Sequence, residues 1–72
     1  MAYCQHMEIG KVIKELREER NLTQQQLASA LNVDKSTIAK YETGDRLPNI
    51  EMSVKLALFF NVTTDYLFGI EK

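Results

Sequence analysis

The sequence predicts an all-α domain of five short helices, and three observations lead there. Apolar residues recur at spacings of three and four, the repeat of a helix with one buried face, and no stretch alternates as a strand would. Residues that start and stop helices punctuate the chain at short intervals. The third observation is size: 72 residues make one domain near the lower limit for a self-sufficient core, and neither common staple is present. Cys4 is a lone cysteine, and Cys4 with His6 falls short of the about four ligands of a structural metal site. The core must therefore come from helix packing, with a second subunit as a possible addition.

Taken in order, Ile9, Val12, Ile13 and Leu16 make one apolar stripe on a first helix over Glu8 to Arg20, which Asn21 closes by tolerating a left-handed backbone. Thr23 with Gln26 is a capping box, and it opens a second, short helix with Leu27, Ala28 and Leu31 on its inner face. Asn32-Val33-Asp34 interrupts the pattern. Asn32 suits a positive φ, and Asp34 suits a side-chain cap on the free N–H groups of a third helix, Lys35 to Thr43. That helix turns Ile38 and either Tyr41 or Glu42 inward and stops at Gly44. Leu47-Pro48-Asn49 is a loop, because Pro disfavours helix at Leu47 and Asn49 can cap the next helix. Helix four is Ile50 to Phe60. Asn61-Val62-Thr63 ends it and opens a last short helix from Thr64 to about Phe68, closed by Gly69. Residues 1–7 read as a flexible N-terminal tail, with Cys4 and His6 as bystanders in it.

Composition narrows the function classes. With 44% hydrophobic and 26% charged residues the chain is an ordinary globular one, with no apolar run near the ~18 residues that span a bilayer and no signal-peptide pattern. A cytoplasmic protein with no membrane partner is expected. No constellation of nucleophile, base and orienting group suggests an enzyme, and neither a cofactor nor a small-molecule ligand is expected. A net charge of -1 is unlike a strongly basic nucleic-acid binder, yet nine Lys and Arg can gather on one face while Glu51, Asp65 and Glu71 lie elsewhere.

The informative unit is residues 23–44. Two short helices separated by about three residues are too tightly joined for an antiparallel hairpin and suit a near-perpendicular crossing. Ala28 provides the small residue that such a crossing needs, Asn32 the left-handed turn, and Val33 and Ile38 the apolar plugs. These positions describe a helix-turn-helix within a domain spanning residues 8–69.

Leu22-Thr23-Gln24-Gln25-Gln26-Leu27-Ala28, Ile38, Tyr41-Glu42-Thr43-Gly44, Leu47-Pro48 and Asp65-Tyr66-Leu67 together resemble the Cro and phage-repressor (XRE) type of helix-turn-helix proteins, over roughly Ile9 to Gly69. The resemblance implies a five-helix, lambda-repressor-like domain: a transcriptional regulator, in the first instance a repressor, that binds a two-fold operator in double-stranded DNA with helix three in the major groove. It implies that Gln24 bonds a phosphate at the helix-two N-terminus, that Lys35 and Ser36 meet base edges, and that Thr37 lies near the DNA backbone. Ala39 and Lys40 would follow one turn on, and Arg46 would touch the backbone from the next loop. Arg17 and Glu42 match an ion pair tying helix one to helix three.

Asn21 and Asn32 stand where that family more often has Gly, which keeps the left-handed backbone. Ser53 replaces a usual core Leu, and Leu58 and Phe59 replace the common Lys and Ala, so helix four is apolar on almost every side. A monomer of this size could not bury all of it. A homodimer is therefore expected, with Leu58, Phe59, Tyr66, Phe68 and Ile70 as candidates for its contact. The alternative function is a protein-interaction module, such as an antitoxin component using the same fold.

Overall fold

A computed structural model describes residues 8–69, and they form five helices with no strand among them. These are α1 (Glu8–Glu19), α2 (Gln24–Leu31), α3 (Lys35–Thr43), α4 (Ile50–Phe60) and α5 (Thr64–Leu67). The expected tail over residues 1–7 and the dimer candidate Ile70 lie outside the described residues.

Local chemistry explains most of the boundaries. Asn21, Asn32 and Asn61 hold φ of 57°, 65° and 60°, each just past the end of a helix, where their short polar side chains tolerate the left-handed backbone. After α1, Leu22 N–H returns to the Arg17 carbonyl at 3.1 Å, which satisfies a carbonyl the helix leaves free. The capping box before α2 is complete: Gln26 N–H donates to Thr23 Oγ1 at 3.0 Å, and Thr23 N–H donates to Gln26 Oε1 at 2.8 Å. Asn49 accepts from Met52 N–H at 2.8 Å to start α4, and Thr63 accepts from Tyr66 N–H at 3.0 Å to start α5. Asp34 departs from expectation. It is the N-cap residue of α3 but its carboxylate makes no cap hydrogen bond; its backbone carbonyl alone takes the Thr37 and Ile38 N–H groups. Because Asp34 is exposed, water can solvate the charge where a cap bond would have had to immobilise it.

The core is built from Ile9, Ile13 and Leu16 of α1, Leu27, Ala28 and Leu31 of α2, Ile38 and Tyr41 of α3, Leu56, Ala57 and Phe60 of α4, and Leu67 of α5. Both alternatives for the inner face of α3 are used, since Tyr41 is buried and the Glu42 side chain is only 4% exposed. Gly10 makes the crossing of α1 and α3 possible. A Cβ there would press into the Tyr41 carbonyl oxygen and reach 2.8 Å from the Glu42 carbonyl oxygen, so only glycine admits so close a backbone approach. At the other end of α1, Arg20 donates to the Phe59 and Phe60 carbonyls at 3.1 and 2.7 Å, and its guanidinium lies 5.2 Å from the Phe60 ring centroid. A cation thus meets the negative end of α4 and occupies carbonyls that the helix cannot satisfy itself.

Helix α4 turns Ser53, Leu56, Ala57 and Phe60 inward, while Ile50, Val54 and Leu58 stay exposed at 84%, 44% and 76%. Among the described residues the Ser53 hydroxyl is buried without a hydrogen-bond partner. Phe59 stacks edge-on against Phe60 with centroids 5.1 Å apart, and both Phe59 and Phe68 pack against the core, so these two dimer candidates are already partly spent inside the domain.

Candidate nucleic-acid interface

The helix-turn-helix is held to α1 by a buried polar network. Arg17 Nε donates to Glu42 Oε2 at 2.7 Å and Nη2 donates to Glu42 Oε1 at 3.2 Å, a fork-to-fork pair whose side chains are 11% and 4% exposed. The remaining guanidinium nitrogen, Nη1, donates to the Leu22 carbonyl at 2.7 Å. Gln24 Nε2 then donates to Glu42 Oε1 at 2.9 Å, which brings α2 into the same network. The hydrogen bond to Glu42, aided by the Coulombic pull of Glu42 and Glu18, lifts the Arg17 pKa against the opposing effect of burial. Arg17 is charged at every physiological pH.

This network refines the role expected of Gln24. The Gln24 oxygen would repel the carboxylate, so the amide nitrogen must face Glu42, and one of its two N–H bonds is committed there. The other remains for a ligand outside. Gln24 is half-buried at the first position of α2, where the free N–H groups of the helix favour an anion. Glu42 therefore fixes the orientation of a residue expected to meet phosphate.

On α3 the helical repeat places Ser36, Ala39 and Lys40 on the side away from Ile38 and Tyr41, with Lys35 on the first turn, two turns before Glu42. Lys35, Ser36 and Lys40 are exposed, and none of the three side chains is engaged in a hydrogen bond or ion pair among the described residues. Ala39 is half-buried between them. Thr37 falls on a different side: with Arg46 it lines a groove between α3 and the start of α4, together with Val33, Tyr41, Asn49, Glu51, Met52 and Lys55. Arg46 is exposed, and its backbone is tied to α3 through an N–H bond to the Lys40 carbonyl at 3.2 Å. Gly44, with φ of 89°, turns the chain so that this bond can form.

Three contributors escaped sequence reasoning. Gly10 carried a signal, as a glycine inside a helix that costs about 1 kcal/mol against alanine and so needs a packing reason. Arg20 and the Gln24 to Glu42 bond carried none, since each joins residues far apart in the chain.

A family model for helix-turn-helix domains matches residues 13–67. Among curated proteins, the chain is 38% identical over 63 residues to the HTH-type transcriptional regulator ImmR of Bacillus subtilis (strain 168), covering 88% of this chain and 50% of that protein. It is 41% identical over 66 residues to the HTH-type transcriptional activator BcrR of Enterococcus faecalis, covering 92% of this chain and 32% of that one. Against the cryptic phage CTXphi transcriptional repressor RstR of Vibrio cholerae it is 42% identical over 50 residues, covering 69% and 45%. The chain thus spans half or less of the length of these relatives.

Proposed function

The chain belongs to the helix-turn-helix family of the Cro and phage-repressor (XRE) type, and from that premise we propose that it is a sequence-specific regulator of transcription that binds double-stranded DNA. The observation that carries the reading is the outer side of α3. Lys35, Ser36 and Lys40 protrude there without partners among the described residues, on a helix whose opposite side is locked into the core.

Docked in a major groove, Lys35 and Lys40 donate to guanine O6 and N7, Ser36 bonds either kind of base-edge group, and the Ala39 methyl meets a thymine methyl. Gln24, through its uncommitted N–H, and Arg46 bond phosphates on either side and set the depth of α3. Thr37, facing the groove it shares with Arg46, lies toward the DNA backbone. Two copies read the two halves of an operator about 34 Å apart, and occupancy blocks transcription. The regulator acts without catalysis and in the cytoplasm; among the described residues no helix is long and apolar enough to cross a membrane.

Selection of bound duplexes from a random pool tests this reading. The expected product is an inverted repeat, with an affinity that falls steeply with salt because each phosphate contact releases counterions. A pool that stays random, or binding indifferent to salt, would leave a protein-holding module instead.

A further inference from the structure

Tyr41 carries a hydroxyl that the fold does not use. The residue is 4% exposed and belongs to the core, yet its hydroxyl makes no hydrogen bond among the described residues. Nor is that oxygen sealed away: among the described residues, the sealed side-chain polar atom that lacks a partner is Ser53 Oγ. The Tyr41 hydroxyl therefore keeps a path to water. The opening that Tyr41 lines is the groove between α3 and the start of α4, a space of about 270 Å³. A phenol oxygen held there by a buried ring is a donor and an acceptor ready for a ligand.

The same groove gathers further donors. Thr37 brings a hydroxyl, and Asn49, whose Oδ1 is committed to Met52 N–H at 2.8 Å, has its Nδ2 left to donate outward. Arg46 and Lys55 bring two cations, neither of them in an ion pair among the described residues. The N-terminus of α4 adds its free N–H groups beside Asn49 and Glu51. Glu51 is the acid of the lining, so one positive charge remains in excess. Val33 and Met52, both half-buried, join the Tyr41 ring as an apolar wall. We propose that the groove binds a small organic monoanion, a carboxylate on an apolar body, with Tyr41 and Thr37 donating to the carboxylate that Arg46 and Lys55 neutralise.

Size and charge narrow the ligand. The groove lies at the small end of ligand pockets, which run from roughly 300 to 1,000 Å³, so the body is a single ring or a short chain. One charge in excess favours a monoanion over a dianion. The apolar wall favours a carbon body over the hydrated sugar-phosphate of a nucleic acid. Composition led to no expectation of such a ligand, because Tyr41 reads from the sequence as an inward residue and only the packing of α3 beside α4 opens its hydroxyl to the groove. Arg46 and Thr37 are also the residues that the DNA reading turns toward the backbone, so ligand and duplex compete for them. The inference rests on that reading for this consequence alone.

The test follows the amide resonances of the isotope-labelled full chain as sodium benzoate is added at constant ionic strength, without DNA. Val33, Thr37, Tyr41 and Met52 should shift saturably, and benzyl alcohol, the same ring without the charge, should bind at least about tenfold more weakly. Tyr41→Phe should weaken benzoate binding by about tenfold and leave the urea midpoint unchanged, since the hydroxyl it removes has no partner among the described residues. Lys55→Gln should weaken it by up to about fivefold, the range of an exposed charge. Shifts that never saturate, benzyl alcohol binding as well as benzoate, or a Tyr41→Phe chain that binds benzoate like the wild type would each overturn the proposal. So would a Tyr41→Phe chain that loses affinity for a selected duplex while the wild type takes up no benzoate, which gives the groove to the DNA backbone. Failure of the DNA reading would look different: benzoate binds saturably and through Tyr41, and no duplex is bound.

Discussion

Replacing Arg17 by Ala would leave the Glu42 carboxylate, 4% exposed, with a single hydrogen bond from Gln24 to offset its lost hydration. Removing one partner of a buried pair in this way typically costs about 3–5 kcal/mol, whereas an exposed pair is worth under about 1 kcal/mol. A stability of roughly 0.05–0.15 kcal/mol per residue gives a chain of 72 residues only about 4–11 kcal/mol in all, so the loss takes a large share of it. With a urea slope near 1 kcal/mol/M, the midpoint should fall by about 3 M or more. Arg17→Met combined with Glu42→Leu removes both charges and should lose less than the two single changes summed, because neither ion is left alone. Urea unfolding followed by circular dichroism reads the midpoints of the wild type, Arg17→Ala, the two single changes and their double. A drop below about 1 kcal/mol for Arg17→Ala would show that the pair behaves as an exposed one and does not tie α1 to α3.

The other buried features make their own demands. Gly10→Ala gains helix propensity but drives a methyl into the Tyr41 and Glu42 carbonyls, and a net loss of about 2 kcal/mol is expected in the same unfolding assay. Ser53→Ala removes a buried hydroxyl that has no partner among the described residues, and should raise the thermal midpoint by about 4–8 °C if it recovers about 1 kcal/mol. Arg20→Ala should cost about 1–2 kcal/mol through the two α4 carbonyls it releases, and Arg20→Lys should recover only part of this, since a point charge cannot serve both carbonyls in the same planar fork; thermal scans of the two variants separate them.

What could be read from the chain in advance was whatever neighbouring residues decide among themselves. Thr23 with Gln26, Asn49 with Met52, and the left-handed Asn21, Asn32 and Asn61 act over a few residues, and the end of α1 and the starts and ends of α2 and α4 derive from them. Asp34 shows the limit of that logic, because a good capping residue that is also exposed can leave its carboxylate to water. Contacts between helices were legible only where the family resemblance paired their residues, as with Arg17 and Glu42. Gln24 was expected to face outward, and only the crossing of α2 over α3 brings its amide to Glu42. In α4 the surplus of apolar residues was plain, but which of them face inward depends on where α1 and α5 lie, and this moved Phe59 toward the core and left Ile50 in water.

The central claim is that α3 reads bases while Gln24 only positions it, and a binding series over single-base variants of the selected operator at fixed salt tests this most directly. Lys35→Ala and Ser36→Ala should each cost about 1–3 kcal/mol on the best sequence and erase the preference at one or two base pairs, whereas Gln24→Ala should weaken binding to all variants alike and flatten the salt dependence. If all three substitutions lower affinity uniformly and every base preference survives, α3 does not lie in the major groove and the account fails.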